Sequence, residues 1–231
     1  MDTMLLALAL PPLVLVPAMG LLSRVECASE FAAELRRKTL HAGLGLAALW
    51  FPLLFTERWM VFVGLGLVVS WMTAVRCVCY LRRKFGCVLH DVARDSFGEL
   101  WFALAIAFLL LMSDGGSYLY VVPLLILTLA DAVAAIAGRL HPIAPLKGPA
   151  RGKSLGGSAA FAACAFAVTI TALQLMTPLQ LAPAAIIAAS IASLTAITEA
   201  ISRKGTDNIS VPIVAWLTLQ LLVAAPAGGW L

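Results

Sequence analysis

Apolar residues in this chain come in long blocks separated by short polar stretches. Eight blocks are readable, at roughly 3–22, 40–56, 59–80, 98–113, 117–138, 157–176, 179–200 and 209–229. Each is near the ~20 residues that a helix needs to cross a hydrocarbon core. In lipid a spanning segment must satisfy its own backbone hydrogen bonds, so runs of this length predict helices. The blocks at 40–56 and 98–113 are short and suit re-entrant helices or helices tilted against neighbours. The first block lacks the basic n-region of a secretory signal and is read as a span. The expected fold is all-α: one polytopic transmembrane domain over 1–231 with about eight helices. Residues 1–30 form an extra N-terminal span ahead of the motif-bearing region 33–231.

Composition agrees with the blocks. The chain is 62% hydrophobic and 12% charged, whereas a soluble domain is nearer half apolar and a quarter charged. No polar stretch is long enough for a soluble domain. Five scattered cysteines, an odd number, argue against a disulfide framework. The net charge of +4 matters less than where the charges fall. Arg24, Arg36, Arg37 and Lys38 follow the first block. Arg76, Arg82, Arg83, Lys84 and Arg94 end or follow the third. Arg139, Lys147, Arg151 and Lys153 follow the fifth, and Arg203 and Lys204 the seventh. These are fifteen of the sixteen basic residues; Arg58 sits in the tight turn between blocks two and three. By the positive-inside rule those four loops are cytoplasmic and both termini are not. No inverted repeat is visible. The acids gather toward the cytoplasmic helix ends rather than the midplane, which argues against a transporter.

Charge inside an apolar helix is costly and marks a functional site. Asp131 is the clearest case. It shares a helix face with Gly138, seven residues on, and with Ala134 and Ala135 between them. Small-residue packing accounts for the alanines and glycine but not for the acid. Asp131 lies about 12 Å from Arg139 at helical rise, in the cytoplasmic half of the bilayer. A metal-bound nucleotide, with Mg2+ as the ion, is the expected ligand. Next comes Gly152-Lys153-Ser154, extended by Gly156, Gly157 and Ser158. It is not a Walker loop. Three residues separate Gly148 from Gly152 where that pattern needs four, and no strand precedes it. A glycine-rich turn at a helix N-terminus still binds phosphate through backbone N–H groups; the alternative is a flexible basic loop.

Three further groups lie on the same side. If residues 36–41 are helical, Arg37 and Lys38 share a face with His41. They read either as a phosphate clamp or as a membrane anchor, which would leave His41 unexplained. Glu99 follows Gly98 at the start of a helix and is either functional or a first-turn acid favoured by the helix dipole. Glu199 ends the seventh block, and Asp207-Asn208 opens the eighth. There Asn208 or Ser210 would also serve as a helix cap, with Pro212 in the first turn. Cys77, Cys79, Cys87 and His90 are four soft ligands, but their spacing fits no common zinc site.

In order, these motifs are R-K-T-L-H at 37–41, G-E at 98–99, D-A-V-A-A-I-A-G-R at 131–139, G-K-S-L-G-G-S at 152–158, then Glu199 and D-N-I-S-V-P at 207–212. The ordered set resembles the CTP-dependent lipid-alcohol kinases, the group of dolichol, phytol and diacylglycerol kinases. It covers most of the chain from residue 37 onward. The resemblance implies a membrane-embedded kinase at the cytoplasmic face. Its expected partners are a lipid alcohol, CTP or another nucleoside triphosphate, Mg2+ and the bilayer, with no nucleic acid. It implies that Arg37, Lys38, Asp131 and Gly138 belong to the nucleotide-handling set. The expected catalytic residues are Asp131, Lys38, Glu99, Glu199 and Asp207, with Asp131, Glu99 and Asp207 for the metal. The expected phosphate contacts are Arg37, Lys38, His41, Gly138, Arg139, Gly152, Lys153, Ser154, Gly157, Ser158 and Asn208. One departure stands out: after G-K-S-L the family often has Glu, and here Gly156 stands. The related phosphatidate cytidylyltransferases carry a K-D pair, an H-G-G and a D-R-x-D, none of which is present as their C-terminal signature.

Overall fold

The computed structural model describes residues 2–25, 27, 29–90, 97–113, 117–145 and 153–223. Gly152, with the rest of its basic loop, and the stretch beyond 223 lie outside the described residues, as does Arg94. Among the described residues the fold is all-helical. The helices are α1 (Asp2–Leu22), α2 (Glu30–Ala48), α3 (Phe51–Leu54), α4 (Arg58–Cys77), α5 (Cys79–His90) and α6 (Gly98–Met112). α7 (Tyr118–Leu125) continues through a π-helical turn, Ile126–Ala130, into α8 (Asp131–Leu140). α9 (Leu155–Met176), α10 (Leu181–Ile201) and α11 (Asp207–Leu222) complete the bundle. Among the described residues, four stretches are long and apolar enough to cross a membrane: Arg58–Cys77, Tyr118–Leu140, Leu155–Met176 and Leu181–Ile201. Leu8–Leu22, Gly98–Met112 and Asp207–Leu222 are shorter apolar helices.

Two boundaries differ from the block pattern. The second helix begins at Glu30, ten residues before its apolar block, so Arg36 to His41 lie within continuous helix. The local reason is a cap: Ser29 is extended, and its side chain accepts from the Ala32 N–H at 3.2 Å. Glu30 adds an acid in the first turn, where the helix dipole favours it. The third block is divided at Val78, whose extended backbone separates α4 from α5.

The C-terminal helices make the most apolar core. Val122, Ile126, Phe161, Ala165, Leu173, Ala184, Ile191, Ala215 and Leu219 are fully buried there. Alanines such as Ala165, Ala184 and Ala188 let α9 and α10 approach closely, the usual solution for helices packed in lipid. A second cluster joins the end of α2 to α6 and α7, around Ala105, Leu109, Tyr120 and Leu124. Tyr120 donates to the carbonyl of Ala48 at 2.7 Å, tying α7 to the far end of α2. A third cluster, with Leu15, Met19, Met72, Val75 and Phe85, holds α1, α4 and α5 against α2. A cavity remains between α1, α2, α4 and α6.

Candidate active site

α2 docks on the π-helical turn at very close range. A Cβ on Gly45 would come within 2.1 Å of the Thr128 hydroxyl, so only glycine permits the contact. One turn earlier, His41 Nε2 donates to the Leu127 carbonyl at 3.0 Å. A π turn widens the helix and lets side chains from a neighbour reach its carbonyls, which is why such turns gather at functional sites. His41 is buried, and its ring lies 4.3 Å from that of Phe102 on α6. The register of this docking brings Lys38 to Asp131, the first residue of α8. The Lys38 ammonium donates to Asp131 Oδ2, and His41 Nε2 lies 3.6 Å from the same oxygen. Both partners are about nine-tenths buried. A charge in such a place is tolerable only with a hydrogen-bonded counter-ion.

A second lysine lies nearby on a different set of elements. Lys153 immediately precedes the cap of α9. Its ammonium is 2.7 Å from Glu199 Oε1 at the end of α10 and 3.1 Å from Asp207 Oδ2 at the start of α11. It also donates to the Glu199 backbone carbonyl. Ser158 donates to the other oxygen of Glu199 at 3.3 Å. Burial alone would lower the Lys153 pKa, but Asp207 and Glu199 outweigh it and hold the ammonium above the ordinary lysine value.

Two arginine–glutamate pairs complete the charged end. Arg37 meets Glu34, one turn earlier on α2, through Nη2 at 2.7 Å and Nε at 3.2 Å. Burial would raise the Glu34 pKa, yet Arg37, with Lys38 beyond it, keeps the carboxyl below its usual range. Glu99 accepts from Arg76 Nε at 2.9 Å, and the Arg76 guanidinium stacks 4.4 Å from the Phe97 ring centroid.

Several residues expected to touch phosphate also join helices. Gly138 and Gly157 allow α8 and α9 to meet: a Cβ on Gly157 would stand 3.2 Å from the Gly138 Cα. Ser154 caps α9, accepting from the Gly157 N–H at 3.1 Å. Asn208 does not cap α11, whose cap position is Thr206. Its side chain donates to the Gly98 carbonyl at 2.8 Å, joining the G-E and D-N motifs. Arg139 is exposed at the end of α8. Gly156 has a local cause, because a Cβ there would meet the His141 carbonyl at 2.8 Å. Cys77 and Cys79 are exposed, and the side chains of Cys87 and His90 lie outside the described residues.

Each of these charged groups places at least one side chain on the wall of a cavity of about 460 Å³. On α2 the lining face reads Glu34, Arg37, Lys38 and His41, then Leu44 and Ala47. On α6 it reads Glu99, then Phe102, Ile106 and Leu110. On α4, running the other way, it reads Val61, Gly64, Val68 and Met72 toward Arg76. Each face changes from charged to apolar along the same direction. Asp131, Lys153, Asp207 and Asn208 close the charged end, with Arg203 and Lys204 beside them. In the sequence Arg203 and Lys204 bear only on orientation, and neither Glu34 nor Phe102 stands out as a site residue. The i, i+3 spacing of Glu34 and Arg37 was a usable signal for the first pair; nothing local marks Phe102.

Among the described residues no group of three or more His, Cys, Asp and Glu side chains is arranged to hold a metal ion. Lys153 nevertheless marks a point that two carboxylates already share, which is a cation position in kind. Mg2+ usually takes one or two carboxylates, completing its shell with waters and substrate phosphates. The residues present fit that pattern.

No family model matches the chain, and no solved structure matches it significantly. The chain is similar to the phytol kinase of Synechocystis sp., at 28% identity over 193 residues, covering 80% of this chain and 79% of that protein. This similarity supports the lipid-alcohol kinase family that the ordered motifs indicate.

Proposed function

We propose that the protein is a membrane-embedded kinase that transfers the γ-phosphoryl group of CTP, or of another nucleoside triphosphate, to the hydroxyl of a lipid alcohol at the cytoplasmic face. The observation that carries this reading is a cavity that is charged at one end and apolar along the rest. A lipid alcohol has that polarity: its hydroxyl would sit among the charged groups and its tail between α2, α4 and α6. The positive-inside distribution of the basic loops supports the cytoplasmic placement, and the similarity to a phytol kinase supports an isoprenoid alcohol.

Phosphoryl transfer is mainly positioning and charge neutralisation. Arg37, Lys38 and Lys153 would hold phosphate oxygens, exchanging their present carboxylate partners for the nucleotide. Glu199 and Asp207 would hold Mg2+, which would supply neutralisation of the phosphate charge. Glu99 stays with Arg76 at the edge of the site. The lipid oxygen forms the new P–O bond as the bond to the leaving nucleoside diphosphate breaks. The hydroxyl proton passes to a carboxylate, for which Asp131 is best placed at the junction of charged and apolar walls. His41 and Phe102 form the wall beside it and exclude water.

The test is transfer of labelled phosphate from CTP and ATP to a panel of lipid alcohols by purified protein. Phosphorylated alcohol together with CDP or ADP is the expected result. A CDP-lipid with pyrophosphate, or no labelled lipid at all with active-site residues intact, overturns the reading.

A further inference from the structure

The apolar end of the cavity has a floor, made by the turn between α2 and α4. Phe51 and Phe55 both line the cavity, and their rings lie 5.3 Å apart, tilted against each other. Phe55 rests on Gly64 of α4, where a Cβ would come within 2.8 Å of the ring. Glycine at 64 therefore makes the room in which Phe55 sits. Immediately beyond are Thr56, Glu57 and Arg58, all exposed. A hydrocarbon chain that passed the Phe55 ring would leave apolar wall for a charged turn, and burial would stop contributing.

The depth above this floor is set by α2. Glu34 and Ala47 are thirteen residues apart on the lining face, about 20 Å at helical rise. One leaflet contributes about half of a ~30 Å hydrocarbon core. The charged groups from Glu34 to His41 take up about 10 Å of the lining face, and the apolar wall from His41 on to Phe51 runs about 15 Å at helical rise, close to one leaflet tail. Its volume of about 460 Å³ lies in the lower half of the ~300–1,000 Å³ range of ligand sites, which suits one tail rather than two.

We propose that Phe51 and Phe55, seated on Gly64, set the length of the tail this site accepts. The occupant is a single-chain prenyl alcohol of leaflet length, in preference to a long polyprenol or a two-chain lipid. The inference rests on the lipid-alcohol reading of the cavity, so its test is binding without nucleotide. Purified protein in detergent is unfolded thermally in the presence of geraniol, farnesol, geranylgeraniol or a long polyprenol. The wild type is expected to be stabilised most by geranylgeraniol, with a decline for the long polyprenol. Phe55→Ala should move the preference toward the longer chain by roughly tenfold in relative affinity, the scale of about one methylene group in a shaped pocket. Gly64→Ala should act oppositely, pushing the ring into the cavity and moving the optimum to farnesol. If Phe55→Ala does not fold, Phe55→Leu removes the ring while keeping bulk. The same length ranking in the wild type and in the folded variants overturns the proposal, as does a wild type with no length preference. Phosphoryl transfer is assayed in parallel. A shifted binding ranking without any transfer sinks the kinase reading and leaves the floor standing; transfer with an unshifted ranking does the reverse.

Discussion

Lys38 and Lys153 both point into the charged end of the cavity, yet their surroundings differ. Lys38 has one carboxylate, Asp131, and the pair is deeply buried between α2 and α8 beside an aromatic wall. Lys153 is more exposed and faces two carboxylates on two further helices, Glu199 and Asp207. The first centre is balanced in charge and built into helix packing. The second carries excess negative charge and sits where three chain segments meet. A balanced buried pair resists losing either member, whereas an acid-rich centre has spare capacity for a second cation. The two lysines should therefore fail in different ways.

The largest effect is expected at Asp131. Asp131→Ala strands the Lys38 ammonium in a buried site, and breaking such a pair costs about 3–5 kcal/mol. Thermal unfolding in detergent should show the loss, and phosphoryl transfer should vanish with it. A double variant, Lys38→Met with Asp131→Leu, removes both charges and should recover most of the stability without any activity. If the double variant is as unstable as Asp131→Ala, charge pairing is not what holds this centre. If it regains activity, Asp131 is a packing residue and nothing more.

Lys153→Met should behave in the opposite sense. It leaves Glu199 and Asp207 without their shared ammonium, and neighbouring carboxylates disfavour each other's charge. The variant should be only moderately destabilised, because its site is more open, but Mg2+ alone should raise its melting temperature more than that of the wild type. Its kcat should fall by about 10²–10³, the scale of losing one preorganised donor at a developing charge. Equal Mg2+ responses in variant and wild type would remove the argument for spare cation capacity. Alkaline pH gives a milder version of the same experiment. The Lys153 pKa is raised in the folded protein, so its contribution is complete below the ordinary lysine value and is lost as pH climbs through the raised one. The wild type should therefore lose this contribution, read as a fall in melting temperature, only at strongly alkaline pH.

The sequence made these two centres unequally legible. Apolar blocks located nearly every helix, because in lipid both the length and the hydrogen bonding of a span are constrained. The polar outliers Lys38, Asp131, Lys153, Glu199 and Asp207 were visible for the same reason: charge among apolar residues has no structural excuse. Their pairing was not visible. Lys38 meets Asp131 because Gly45 lets α2 settle on a π turn, and a π turn has no simple periodic signature. The start of α2 was hidden because its first ten residues are polar and only the Ser29 cap announces them. The glycines and Asn208 read as phosphate contacts, and their part in joining helices was not visible. The apolar half of the cavity was unreadable, since lining and lipid-facing residues share the same alphabet.

Gly156 offers the smallest test of the difference between the centres. The family resemblance leads one to expect Glu at this place, which raises the question of whether the second centre lacks an acid. Local geometry answers otherwise. A Cβ at 156 would be directed at the His141 carbonyl, 2.8 Å away, and toward Ile143, not at the shared ammonium. The contact is with backbone, which yields less readily than a flexible side chain. Gly156→Ala should therefore cost about 1–3 kcal/mol as an overpacked contact, readable as a drop in melting temperature with kcat unchanged. Gly156→Glu should cost at least as much and bring no gain in transfer or in Mg2+ affinity, because Glu199 and Asp207 already surround the ammonium. A rise in either quantity would show that the acid-rich centre is one carboxylate short, and that the 141–143 turn moves aside to admit it.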